Sequence, residues 1–96
     1  MTVLIVEDEQ LAQERLQAIL RKCDPSINIV ACLESVEETV KWLQTKTHPD
    51  LILLDIHLAD GDSFEIFKRT STQKPVIFTT AYEDYALEAF KLFSID

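Results

Sequence analysis

Two short, unbroken apolar runs, VLIV at Val3 to Val6 and LILL at Leu51 to Leu54, decide most of what this chain can become. A strand with one wet face alternates apolar and polar residues, whereas a strand covered on both faces reads as a continuous apolar run. Each run therefore belongs inside a sheet with helices packed on both sides. Each also ends in acid: Glu7 and Asp8 follow the first, and Asp55 follows the second. An open parallel sheet has its binding crevice at the carboxyl ends of its strands, so if the two runs are neighbours the three carboxylates converge. Carboxylates gathered this way repel one another unless a positive charge intervenes. Oxygen ligands of this kind suit a bound magnesium ion.

The segments between the runs alternate in period. From about Gln10 the apolar spacing turns helical, with Ala12, Leu16, Ile19 and Leu20 on one stripe, and Lys22 to Asn28, containing Asp24-Pro25, closes that helix. A second strand fits Ile29 to Leu33. Ser35, with Glu38 three residues on, forms a capping box that opens a second helix whose Val36, Val40 and Leu43 share a face. His48-Pro49 breaks that helix before LILL. After Asp55, IHLADGD holds the only glycine, Gly61, and predicts a turn. A short third helix follows from about Ser63, with Phe64, Ile66 and Phe67 partly inward. Pro75 then introduces a fourth strand, Val76 to Thr79, since proline is tolerated where a strand begins. Tyr82, Tyr85, Ala86, Ala89, Phe90 and Phe93 line one stripe of a last helix, a pattern that suits core packing, and Leu87 lies off it. The order β-α-β-α-β-α-β-α implies a parallel sheet with right-handed crossovers.

At 96 residues, nearly half of them apolar, the chain is expected to form one domain with one core. It has no apolar run approaching the roughly 20 residues that cross a bilayer and no signal-peptide pattern, so a cytoplasmic location and no membrane partner are expected. The formal charge of −8 opposes direct binding of nucleic acid, which rests on lysine and arginine neutralising phosphates. Cys23 and Cys32 have no metal-ligand spacing and read as free thiols. His48 and His57 have no side-chain partners at the spacing of a zinc site.

VLIVEDE, LILLDIHLADGD and PVIFTTAYEDYALEAF, in that order, resemble the receiver domain of bacterial two-component response regulators. The third segment is most similar to receivers linked to LytTR-type DNA-binding domains, and the resemblance runs from Thr2 to Asp96. It implies a CheY-like, flavodoxin-like α/β fold with helices on both faces of a sheet in strand order 2-1-3-4. It further implies a phosphoacceptor, Asp55, that takes a phosphoryl group from a sensor histidine kinase in a magnesium-dependent reaction. By the same resemblance Asp8 and Asp55 bind the metal directly, Glu7 binds it through water, and the backbone carbonyl of His57 completes the protein's share. Thr80 is the hydroxyl that contacts the phosphoryl group and acts as the switch. The output would be transcription regulation through a LytTR-type domain elsewhere in the parent protein. Such a domain assists its own phosphorylation and dephosphorylation, and a turnover enzyme is not implied.

Phosphoryl transfer independently asks for such parts, because its catalysis is mostly positioning plus electrostatic stabilisation. An anionic nucleophile attacking an anionic phosphoryl group needs a cation beside it, and a hydroxyl donates a charge-assisted hydrogen bond without adding charge. Plainer readings exist for each residue. Glu7 and Asp8 would also favour the positive end of the first helix, Asp55 would serve as a strand-end carboxylate in a turn, and Thr79 and Thr80 are ordinary β-branched strand residues.

Two departures from the family pattern stand out. Ala59 occupies the place of a customary proline four residues past Asp55. The sequence also stops at Ser94-Ile95-Asp96, where a fifth strand would begin, and Lys91, on the expected fourth helix, does not match the lysine that strand carries in the family. Residues 1–96 are thus expected to be a receiver domain truncated before its fifth strand and helix. An open edge at Val76 to Phe78 would then leave a weakened monomer, or favour a homodimer or oligomer that covers the edge, exchange of elements being one route. Two other functions compete. Haloacid-dehalogenase-like phosphatases also place an aspartate after an apolar strand, but they carry a second aspartate where His57 stands here. A receiver-like scaffold that is never phosphorylated is the other.

Overall fold

The computed structural model describes residues 1–79. These form β1 (Thr2–Val6), α1 (Gln10–Cys23), β2 (Asn28–Leu33), α2 (Val36–Thr45), β3 (Leu51–Leu54), β4 (His57–Leu58), β5 (Gly61–Asp62), α3 (Phe64–Arg69) and β6 (Val76–Phe78). The expected helix over 82–93, together with Thr80, Leu87, Lys91 and the approach to a fifth strand, lies outside the described residues.

Four strands pair in parallel in the order β2-β1-β3-β6, so the two apolar runs lie side by side at the centre of the sheet. Strand alternation divides their side chains between two cores. Leu4, Val6, Ile52 and Leu54 face α2 and α3, where they meet Val36, Val40, Leu43 and Ile66. Val3, Ile5 and Leu53 face the other way, onto Leu16 and Leu20 of α1. With both faces covered, no position in either run tolerates a polar residue, which is why the runs are unbroken.

The helices form where the sequence places them. Ser35 Oγ accepts from the Glu38 amide at 3.1 Å and caps α2. Its hydroxyl also reaches Glu38 Oε1, at 3.4 Å, so the reciprocal arm of the capping box closes on the side chain. At the far end of α1, Asp24 Oδ1 accepts from Ser26 N and Ser26 Oγ, at 3.0 and 2.7 Å. Cys23 and Cys32 are free thiols.

Two expectations need correction. Ile19 does not share the inward stripe of α1, being 56% exposed. The face turned to the sheet is centred between Leu16, Leu20, Gln13 and Gln17, because the two amides reach inward partners: Gln13 Nε2 donates to Glu7 O at 2.5 Å, and Gln17 Nε2 to Cys32 Sγ at 3.2 Å. That rotation carries Ile19 outward. The fourth strand of the sheet, β6, is also one residue shorter than expected, ending at Phe78, although the Thr79 amide still donates to Leu54 O at 3.0 Å.

Candidate metal centre

A staircase of backbone bonds builds the site. The residue just past each strand donates its amide to the last carbonyl of the neighbouring strand: Glu7 to Leu33 at 2.9 Å, Asp55 to Val6 at 3.0 Å and Thr79 to Leu54 at 3.0 Å. Glu7, Asp55 and Thr79 are thereby brought to one edge of the sheet, its carboxyl edge. The β1–β3 register, with Val6 opposite Leu54, makes Glu7 and Asp55 the next opposed pair. Alternation turns both toward the same face.

Ligand oxygens of Glu7, Asp8 and Asp55 lie within 4.8 Å of one another. Glu7 is buried and 7% exposed, while Asp8 and Asp55 are more open to solvent. Burial pushes the Glu7 carboxyl up to about 7, opposed by a hydrogen bond from the Glu9 amide and reinforced by the neighbouring Asp8 and Asp55 carboxylates. The Glu9 contact is 3.2 Å, to Glu7 Oε2. A set of three hard oxygen donors, one of them a carboxyl whose burial opposes its ionisation, fits a small divalent cation. Glu7 is held from behind as well, through Gln13 on its carbonyl. Sequence reasoning missed that contact, since a glutamine on a helix reads as surface.

The plain reading of Glu7 and Asp8 as charges at the start of α1 accounts for little of this geometry. The first turn of α1 holds no acidic residue, and its N-cap, Glu9, makes no side-chain capping bond.

Past Asp55 the chain makes a hairpin, β4 with β5, pairing His57 with Asp62 and Leu58 with Gly61. Gly61 supplies the turn at φ +143°. The His57 side chain is exposed, while Ile56 and Leu58 on either side are buried. The Ser63 amide closes the base of the hairpin on Ile56 O at 2.8 Å. Of the expected site residues, the structure brings Glu7, Asp8 and Asp55 together and sets His57 two residues beyond, on the hairpin. Thr80 lies outside the described residues.

A doubly wound sheet with acids gathered at the ends of its adjacent central strands defines an α/β domain with a polar site at the carboxyl edge, where open sheets of this kind bind ligands. The chain belongs to the response regulator receiver domain family, whose model matches residues 3–94. It is 36% identical to the sensory transduction protein LytT of Bacillus anthracis over 97 residues, covering 98% of this chain and 39% of that protein. It is 38% identical to the sensory transduction protein LytR of Staphylococcus epidermidis over 99 residues, covering 100% of this chain and 38% of that protein. Among solved structures, the response regulatory domain of protein mrkE from Klebsiella pneumoniae superposes with a TM-score of 0.82 at 34% identity, covering 96% of this chain and 76% of that one. The chain thus spans about two fifths of the length of these curated relatives. Among the described residues no helix is long and apolar enough to cross a membrane.

Proposed function

We propose that this chain is a phosphoacceptor, phosphorylated on Asp55 by a sensor histidine kinase, and that it relays the change to a DNA-binding output of the LytTR type. The observation that carries the reading is the convergence of Glu7, Asp8 and Asp55 within 4.8 Å at the carboxyl ends of adjacent strands. A carboxylate oxygen of Asp55 bonds to phosphorus as the P–N bond of the donor's phosphohistidine breaks, and the imidazole nitrogen leaves with the electron pair. Magnesium, when bound, neutralises charge that builds on the phosphoryl oxygens. Asp8 and Asp55 would hold it directly, the His57 carbonyl would add a third oxygen, and Glu7 would act through water. Thr80 follows Thr79, whose amide ends the backbone staircase, and its hydroxyl is assigned to the phosphoryl oxygens as donor and switch. The chain assists its own chemistry and does not turn over a separate substrate.

Incubation with magnesium and phosphoramidate, followed by intact-mass measurement, tests the reading. The expected result is the addition of one phosphoryl group, lost in Asp55→Asn. No mass gain, or an equal gain in Asp55→Asn, overturns it.

A further inference from the structure

We infer that Asp60 is a positioning residue that ties the site hairpin to the first turn of α2, so that metal binding at the acidic cluster and the order of that turn are coupled. The inference rests on the metal site proposed above. Asp60 sits at the tip of the β4–β5 hairpin, five residues beyond Asp55, yet its carboxylate reaches an element 24 residues earlier in the chain. Oδ1 accepts from the Val36 amide at 2.7 Å, and Oδ2 accepts from the Glu37 amide at 3.1 Å. Ser35 Oγ takes the Glu38 amide, and Ser35 O takes the Thr39 amide at 3.2 Å. The amides of Val36, Glu37 and Glu38, which an isolated helix leaves unpaired, are thus all satisfied, two of them by the hairpin.

Asp60 is ionised for this work. Against the upward push of its desolvation, the two α2 amides hold its carboxyl below the usual aspartate range. A second tie runs parallel: Arg69, at the end of α3, grips Glu37 with Nη1 on Oε1 at 2.6 Å and Nη2 on Oε2 at 3.2 Å. The chain leaving Asp55 therefore holds the start of α2 at two points, and the first of them lies on the hairpin itself.

The consequence for the site is geometric. His57, whose carbonyl is assigned to the metal, sits between Ile56 and Leu58, both fixed in the core, and opposite Asp62 on the other arm. The arm that returns from the tip begins at Gly61, with no side chain to anchor it. Asp60 supplies that anchor from α2. Groups behind the direct ligands of a metal set the aim of those ligands, and their loss commonly weakens binding by about tenfold or more. Coupling between two sites is reciprocal, so a cation that fixes the hairpin also firms the Asp60 cap on Val36 and Glu37.

Magnesium affinity and amide hydrogen exchange, measured on the 96-residue chain, test this. In the wild type, magnesium is expected to slow exchange at Val36 and Glu37. Asp60→Ala is expected to weaken magnesium binding on the order of tenfold and to abolish the magnesium-dependent slowing, while Asp60→Asn, which keeps one acceptor, recovers part of both. Ser35→Ala is the control: it removes a cap from the same turn without touching the hairpin, and should lower magnesium affinity much less than Asp60→Ala. Equal affinity in wild type and Asp60→Ala overturns the inference alone, as does an equal loss of affinity in Ser35→Ala. A wild type that binds no magnesium overturns it together with the metal site.

Discussion

The amide of Asp55 donates to the carbonyl of Val6 at 3.0 Å, locking the acid that ends one central strand to the last residue of the other. Because Glu7 follows Val6 directly, the same bond fixes the spacing between the Asp55 and Glu7 carboxylates. The backbone thus sets the two residues side by side, and the burial of Glu7 holds its carboxyl there.

The burial of Glu7 beside its acidic neighbours sets a pH dependence. The Glu7 carboxyl, ordinarily near 4.5, is raised to about 7 by burial and then by its acidic neighbours. Between these values the folded chain holds a proton that the unfolded chain has lost. The corresponding stability is complete below 4.5 and is lost as pH rises through about 7. Without magnesium, the thermal midpoint should fall over this window, and in Glu7→Gln the fall should be smaller. With magnesium the sign reverses, since proton and cation compete for the carboxylate. Affinity measured by calorimetry should rise by up to about tenfold per pH unit below 7 and flatten above it. Asp8→Ala should weaken binding tenfold or more at every pH, by roughly the loss of a direct ligand charge. A pH-independent affinity would contradict the raised Glu7.

The central strands should be the most sensitive part of the core. Leu54 is fully buried and packs in the cluster with Val40, Leu43 and Ile66. Leu54→Ala is expected to cost about 2–5 kcal/mol, a large share of the roughly 5–15 kcal/mol that holds a domain of this kind together. Urea unfolding would show it as a lower midpoint at nearly unchanged slope. Ile19→Ala, on the exposed side of α1, should cost well under 1 kcal/mol by the ordinary behaviour of surface sites.

How much of this the sequence disclosed depends on the range of each interaction. VLIV and LILL were legible as central strands because burial on both faces leaves its mark on every residue. The convergence of Glu7, Asp8 and Asp55 followed, given that the strands were neighbours. The capping of α2 by Ser35 was legible too, being a contact over three residues. What escaped were contacts between distant segments and those made by unexpected polar side chains. Asp60 read as part of a turn, although its carboxylate closes α2. Ile19 read as inward, because apolar spacing alone does not register that Gln13 and Gln17 have partners beneath the helix. The hairpin itself, with arms of two residues each, is too short to carry a period and read simply as a turn at Gly61.

Gly61 offers a clean separation of strain from sterics. A Cβ built there meets nothing within 4 Å, yet the backbone stands at φ +143°, where side chains are rarely tolerated. Gly61→Ala should therefore destabilise by about 1–3 kcal/mol through backbone strain alone. If the hairpin yields to relieve that strain, magnesium affinity falls with stability. An unchanged unfolding midpoint would mean that the turn accepts an alanine at this φ.

Ser63 presents the opposite case, a polar group whose removal should help. It is fully buried at the base of the hairpin, its amide bonded to Ile56 O and its carbonyl accepting from Ile66 N. Its hydroxyl has no hydrogen-bond partner among the described residues. A buried hydroxyl left without a partner forfeits the hydrogen bonds it made to water, at a cost of about 1–3 kcal/mol. Ser63→Ala keeps the Cβ and both backbone bonds while deleting that cost, so it should raise stability by up to about 1 kcal/mol, part of the gain being offset by the small void left behind. For a domain of this size that corresponds to a rise of about 4–8 °C in the thermal midpoint. A fall of similar size would instead reveal that the hydroxyl is bonded in solution, through a water held between the hairpin and α3.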